Sequence, residues 1–193
     1  MGSITFEDVF TLWPTMGRQT GYWFQPRGDF DRDRFVQIHR GEAVPDVPVE
    51  LRVTEGRKLT DVIRNSSLFL IVSKWLLNEF NDRRFTGFHT FPVRLFDRTD
   101  NEIGRDYTGL AITGRSGPLD TARSVTKWFA EADGTKKPLC MSGFYFDLRR
   151  WDGSDLFLLD DHGGLLITRR VLDALTNLKA TGWRAEPVSE YRL

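Results

Sequence analysis

Apolar positions along this chain fall into one phrase that occurs twice. Residues 68–93 and 163–188 align without a gap at an offset of 95 positions, with six identities among 26 pairs. Each copy opens on a short branched run, Leu70-Ile71-Val72 or Leu165-Leu166-Ile167, of the length and shape of a buried strand. Ser73 or Thr168 follows, a hydroxyl residue suited to cap a helix by accepting from a first-turn amide. Apolar residues then recur at helical spacing: Leu76, Leu77 and Phe80 in one copy, and Val171, Leu172, Leu175 and Leu178 in the other. Gly87 and Gly182 are placed to close the helices in the left-handed conformation. A segment containing Pro92 or Pro187 comes last, and a residue without an amide donor favours a strand end or an edge. The pattern predicts two strand–helix–strand units.

Outside the units the pattern is weaker. Residues 1–20 read as a leader broken by Pro14 and Gly17, and Tyr22 to Phe24 and Arg34 to Ile38 as short strands. Val49, Leu51 and Val53 alternate with Glu50 and Arg52, the period of a half-buried strand. Leu59 to Ile63 forms a bend or short helix, Asp106 to Ile112 a strand, and 97–104 a polar turn. Val125, Trp128 and Phe129 fit one face of a short helix within 119–129, and Ala132 to Pro138 reads as a turn. Leu139 to Leu148 is apolar and aromatic, and Leu156 to Leu159 is a further strand. Strands outnumber helices and do not alternate with them regularly. The expected class is therefore α+β, a mixed, largely antiparallel sheet with two similar strand–helix–strand units packed on it. Residues 1–56 are expected to elaborate the domain formed by 57–193.

Composition narrows the function classes. The 193 residues carry 27 basic and 27 acidic side chains, so no global charge recommends a nucleic-acid partner. No apolar run approaches the roughly 20 residues of a bilayer span, and the first residues lack a secretory pattern. The single cysteine, Cys140, suits a reducing compartment, so a cytoplasmic location is expected, with no membrane association. Fifteen Phe and six Trp supply a large core, and some of the Trp suit an interface.

Motifs for metal or nucleophilic chemistry do not emerge. His39, His89 and His162 are scattered, and Cys140 sits among apolar neighbours as a small hydrophobe does. The glycines near 114–117 and 163–164 lack the lysine and spacing of a phosphate loop. The arginine pairs 83–84, 149–150 and 169–170 read as helix-end or solvated cations. No cofactor, metal or catalytic residue is expected.

Several stretches together resemble a bacterial family. Leu59-Thr60-Asp61, Ile71-Val72-Ser73-Lys74, Phe91-Pro92-Val93 and Leu119-Asp120 with Ser124 look like its mid-domain pattern. Trp151-Asp152-Gly153-Ser154-Asp155-Leu156-Phe157, Thr168-Arg169-Arg170 and Thr181-Gly182-Trp183 with Pro187-Val188 look like its C-terminal signature. The family is immunity family eleven of polymorphic toxin systems, formerly a domain of unknown function, and the resemblance spans about residues 57–190. It implies a non-enzymatic protein that binds and neutralises a cognate toxin encoded by a neighbouring gene. Acidic contacts would suit a basic toxin such as a nuclease, which makes Asp152, Asp155, Asp160 and Asp161 candidate toxin-binding residues, against their reading as solvated turn. Two rival readings stand beside it. One is a small-molecule or enzymatic domain with a pocket near His39, His89 or Cys140; the other is a structural subunit with a large exposed apolar face.

Overall fold

A computed structural model describes residues 4–15, 21–28, 31–65, 69–130 and 136–192; for Arg64, Thr126, 136–139 and His162 it describes the backbone alone. The expected Leu68 start of the first phrase and the Gly17 break of the leader lie outside these residues.

Both phrases form as predicted, and each begins one strand earlier. In the first, β4 (Val62–Asn65) and β5 (Leu70–Ser73) make an antiparallel hairpin that runs into α2 (Lys74–Asp82) and β6 (Phe88–Phe96). In the second, β12 (Leu156–Leu159) and β13 (His162–Thr168) pair likewise and run into α4 (Arg169–Asn177) and β14 (Trp183–Pro187). Each unit is completed by a strand from the other half of the chain. β1 (Val9–Pro14) lies antiparallel between β13 and β14, with Val9 opposite Thr168. β8 (Tyr107–Ile112) lies antiparallel between β5 and β6, with Tyr107 opposite Ser73. The halves therefore exchange their first strands. Residues 1–56, expected as an elaboration, supply a strand in the middle of the second sheet. The run Val9-Phe10-Thr11-Leu12 is a strand buried on both faces, a pattern without alternation.

The exchanged strands continue into matching positions. β1 leads to β2 (Trp23–Pro26), parallel to β4, and β8 leads to β9 (Gly114–Arg115), parallel to β12. In the first half, β3 (Val49–Glu55) then pairs with both β2 and β6. This closes a ring of six strands in the order β3, β2, β4, β5, β8, β6, with β7 (Glu102–Ile103) added to the outside of β6. In the second half, the irregular segment 142–146 takes the place of β3. Leu119 bridges Phe146, and the Phe144 amide donates to the Val188 carbonyl at 2.8 Å.

Three cores follow from this arrangement. The central one lies between the halves and contains the apolar faces of α2 and α4 (Leu76 and Phe80; Val171, Ala174 and Leu175) together with Val72 and Ile167. One outer core fills the six-stranded ring with Phe24, Leu51, Ile71 and Leu95. The other packs Phe144, Phe157 and Tyr191 against Leu166.

Several local expectations are corrected. Residues 34–38 belong to α1 (Arg32–His39), whose first turn is capped by the Asp31 carboxylate accepting from the Asp33 and Arg34 amides. The helix expected within 119–129 ends after one turn, α3 (Thr121–Ser124), and continues as β10 (Val125–Ala130). Residues 136–138, expected in a turn, open β11 (Lys136–Met141), while 132–135 lie outside the described residues. The helices close at Arg84 and Lys179, with φ of 56° and 53°, a backbone that costs a non-glycine residue about 1 kcal/mol. Gly87 and Gly182 also have positive φ but serve close approach. A Cβ at Gly87 would overlap the Leu156 carbonyl, and one at Gly182 the Val62 carbonyl. Pro187 sits on the edge strand β14, as expected, whereas Pro92 is inside β6, one residue before its pairing with β3 begins.

Candidate functional site

The four acids singled out from the sequence separate on folding. β12 places Asp152 and Asp155 at one end of a strand, and Asp160 and Asp161 at the other. Asp155 is only 4% exposed. One of its oxygens accepts from Thr168 Oγ1 at 3.1 Å and Arg170 Nη1 at 3.0 Å, and the other from the Thr86 amide at 3.1 Å. A carboxylate so enclosed offers little surface to a partner protein. Asp152 is exposed, yet it accepts from the Arg115 amide and from both the amide and hydroxyl of Ser154. Asp161 accepts from the Leu119 amide, and the Asp160 carbonyl accepts from Arg40. The Asp152 and Asp161 carboxylates thus hold turns in place.

Asp155 has a counterpart that sequence reasoning passed over. Asp61 accepts from Ser73 Oγ at 3.2 Å and Trp75 Nε1 at 2.6 Å on one oxygen, and from the Thr181 amide and hydroxyl at 2.8 and 2.7 Å on the other. Ser73 and Thr168, Trp75 and Arg170, and Thr181 and Thr86 are equivalent positions of the two phrases. Each carboxylate thus joins the helix entry of its own unit to the helix exit of the other. The hydroxyls of Ser73 and Thr168 donate to these carboxylates and make no helix-capping bond, contrary to expectation. Burial raises the Asp61 pKa, but the bonds from Thr181, Trp75 and Ser73 outweigh it and leave the group below the usual carboxylate range. The only sequence signal was the 95-residue offset itself, which relates the hydroxyl donors but misses the acids by one position.

His39 ends α1 and is 4% exposed, with Nε2 3.1 Å from the Gly163 carbonyl. Since a carbonyl only accepts, Nε2 carries the proton. Nδ1 is buried and has no hydrogen-bond partner among the described residues. Burial foremost, then the nearby Arg115 and Arg40 charges, lower the pKa of His39 despite the bond to Gly163. Arg115 spans the same junction by donating to the carbonyls of Ile112, Gly114 and Arg40. His89 is exposed on β6, Cys140 is half-buried on β11, and the His162 side chain lies outside the described residues. No group of three metal-ligating side chains occurs among the described residues.

Two adjacent exposed aromatic side chains lie elsewhere. β10 and β11 pair with each other and, among the described strands, with no third. Lys127, Trp128, Phe129 and Ala130 are all exposed, with Trp128 and Phe129 at 45% and 53%. Consecutive strand residues point to opposite faces, so at these positions neither face of the ribbon packs on the body of the protein. At its base, α3 is anchored by the buried Ser124, whose Oγ accepts from the Tyr145 amide at 3.0 Å. Beside α3 opens a cleft of about 560 Å³, floored by Phe6, Leu119, Phe146 and Leu148. Arg123, Arg149 and Arg150 stand at its rim. Arg123 lies over the Tyr145 ring, 4.1 Å from its centroid, and Arg149 makes a two-bond pair with Asp147 at 2.9 and 2.8 Å. That pair holds the Asp147 carboxyl down at about 2. Sequence reasoning assigned Trp128 and Phe129 to a helix face; the signal for a ribbon was the β-branched and aromatic run Val125-Thr126-Lys127-Trp128-Phe129.

Neither a family model nor a curated protein sequence matches this chain. Among the described residues, no helix is long and apolar enough to cross a membrane.

Proposed function

We propose that the protein binds another protein through the β10–β11 ribbon, and that it acts as an immunity protein neutralising a cognate toxin. The observation that carries the binding part is the exposed Trp128–Phe129 pair, at positions where neither face of the ribbon packs on the body of the protein. A two-stranded ribbon is marginal in water, and large aromatics left in solvent gain most from a partner that covers them. The toxin part rests on the sequence resemblance to immunity family eleven described above.

Co-expression with the toxin-like product of the neighbouring gene tests the reading. A stable complex and rescued growth are expected. Failure of both, with the two proteins expressed and folded, removes the toxin assignment.

A further inference from the structure

We propose that the face built from α3, the β10–β11 ribbon and the 3-10 turn Leu148–Arg150 takes an acidic, apolar-bearing segment of a protein chain. The inference deepens the binding surface above and rests on that reading.

Charge points to the partner's sign. Residues 117–151 hold six basic and four acidic side chains in a chain whose formal net charge is zero. Two of those acids are already engaged: Asp120 accepts from the Arg123 amide to cap α3, and Asp147 caps the 3-10 turn and holds Arg149. Lys127 is exposed on the ribbon, and Arg123, Arg149 and Arg150 rim the cleft. The Arg149–Asp147 pair is solvent-exposed, and such pairs are weak enough for an incoming carboxylate to compete.

Shape and polarity point to a peptide-like occupant. The cleft is open and its floor is apolar, so it accepts a leucine- or phenylalanine-sized side chain while the rim meets carboxylates. β10 leaves α3 directly at Val125, which puts Trp128 only about 10 Å further along the strand. An extended segment pairing edge-on with the ribbon would set alternate side chains beside Trp128 on one face and Phe129 on the other, and its end is long enough to reach the cleft. A nucleic acid is the rival occupant, and the apolar lining by Phe6, Leu119, Phe146 and Leu148 favours a peptide bearing leucine or phenylalanine.

The test uses the full chain and three fluorescein-labelled probes in an anisotropy titration. One peptide alternates Glu with Leu and Phe, the second carries Lys at every Glu, and the third probe is a single-stranded oligothymidine. Binding of the acidic peptide alone is expected. Its affinity should fall about tenfold in R149E/R150E and again in W128A/F129A, each shown to be folded by circular dichroism. Equal binding of both peptides, preference for the oligonucleotide, no acidic-peptide binding, or binding untouched by both variants overturns the inference. Acidic-peptide binding without growth rescue retires the toxin assignment and leaves this surface standing; rescue without acid selectivity does the reverse.

Discussion

The two halves of the chain share a framework through β2 and β9 and part company in the interval that follows each. In the first half that interval holds α1, which buries Ile38 and His39, and then β3, which seals the six-stranded ring. In the second half it holds a single helical turn and a ribbon that leaves Trp128 and Phe129 in water. The framework residues are matched pair by pair: two carboxylates, two hydroxyls at helix entries, two left-handed closures at Arg84 and Lys179, two close-approach glycines. Matched features are explained by the needs of folding. The unmatched ribbon is not: its base adds Val125 and Met141 to an outer core, but beyond them it carries exposed aromatic surface. Function is best sought where the symmetry ends.

That comparison can be strained first at the shared core. Phe80→Ala removes an aromatic ring from the contact between the halves and should cost about 3–5 kcal/mol in a denaturant titration. A loss under about 1 kcal/mol would mean the central core is less tightly packed than its burial implies.

The matched carboxylates come next. Asp155→Ala leaves the buried Thr168 hydroxyl and the Thr86 amide without their acceptor and should cost about 2–4 kcal/mol. Asp61 is more accessible, so Asp61→Ala should cost less, about 1 kcal/mol. Because the Asp61 pKa is depressed on folding, its contribution is complete above its ordinary value of 3.8 and is lost as pH falls through the lower folded value. Equal losses at the two sites would contradict the difference in burial.

His39 distinguishes the halves in mild acid. Its folded pKa lies below the ordinary 6.5, so the unfolded chain binds the proton more readily. Stability is full above pH 6.5 and declines as pH falls from there toward the folded value. Unfolding curves of the parent and of His39→Gln, compared between pH 7 and 5, should show a decline in the parent that the variant lacks. Parallel curves would remove the buried neutral histidine from the account.

Some of this was legible in the sequence. Helical and strand periodicity identified β5, α2, β13 and α4, because those elements bury one face or a continuous run. Periodicity missed β1, whose burial on both faces erases alternation, and misread α1, whose Asp31 cap was a better guide than its weak apolar pattern. Strand exchange is a long-range property. Val9 opposite Thr168 has no local trace. The acids were chosen by composition, and folding turned Asp155 inward because only there could it meet Thr86, Thr168 and Arg170 together. The aromatic ribbon was visible as residues but not as a place, since exposure is decided by what the rest of the chain declines to cover.

The most direct test of the central claim, that recognition belongs to the unmatched ribbon, compares two variants for binding to the proposed partner, a toxin-like product of a neighbouring gene. Trp128→Ala/Phe129→Ala should unfold within about 0.5 kcal/mol of the parent, since both side chains are exposed, yet bind at least about thirtyfold more weakly. Asp152→Ala/Asp160→Ala/Asp161→Ala should keep most of its affinity. Loss of binding in the acid variant, with the ribbon variant binding as the parent does, would contradict the account.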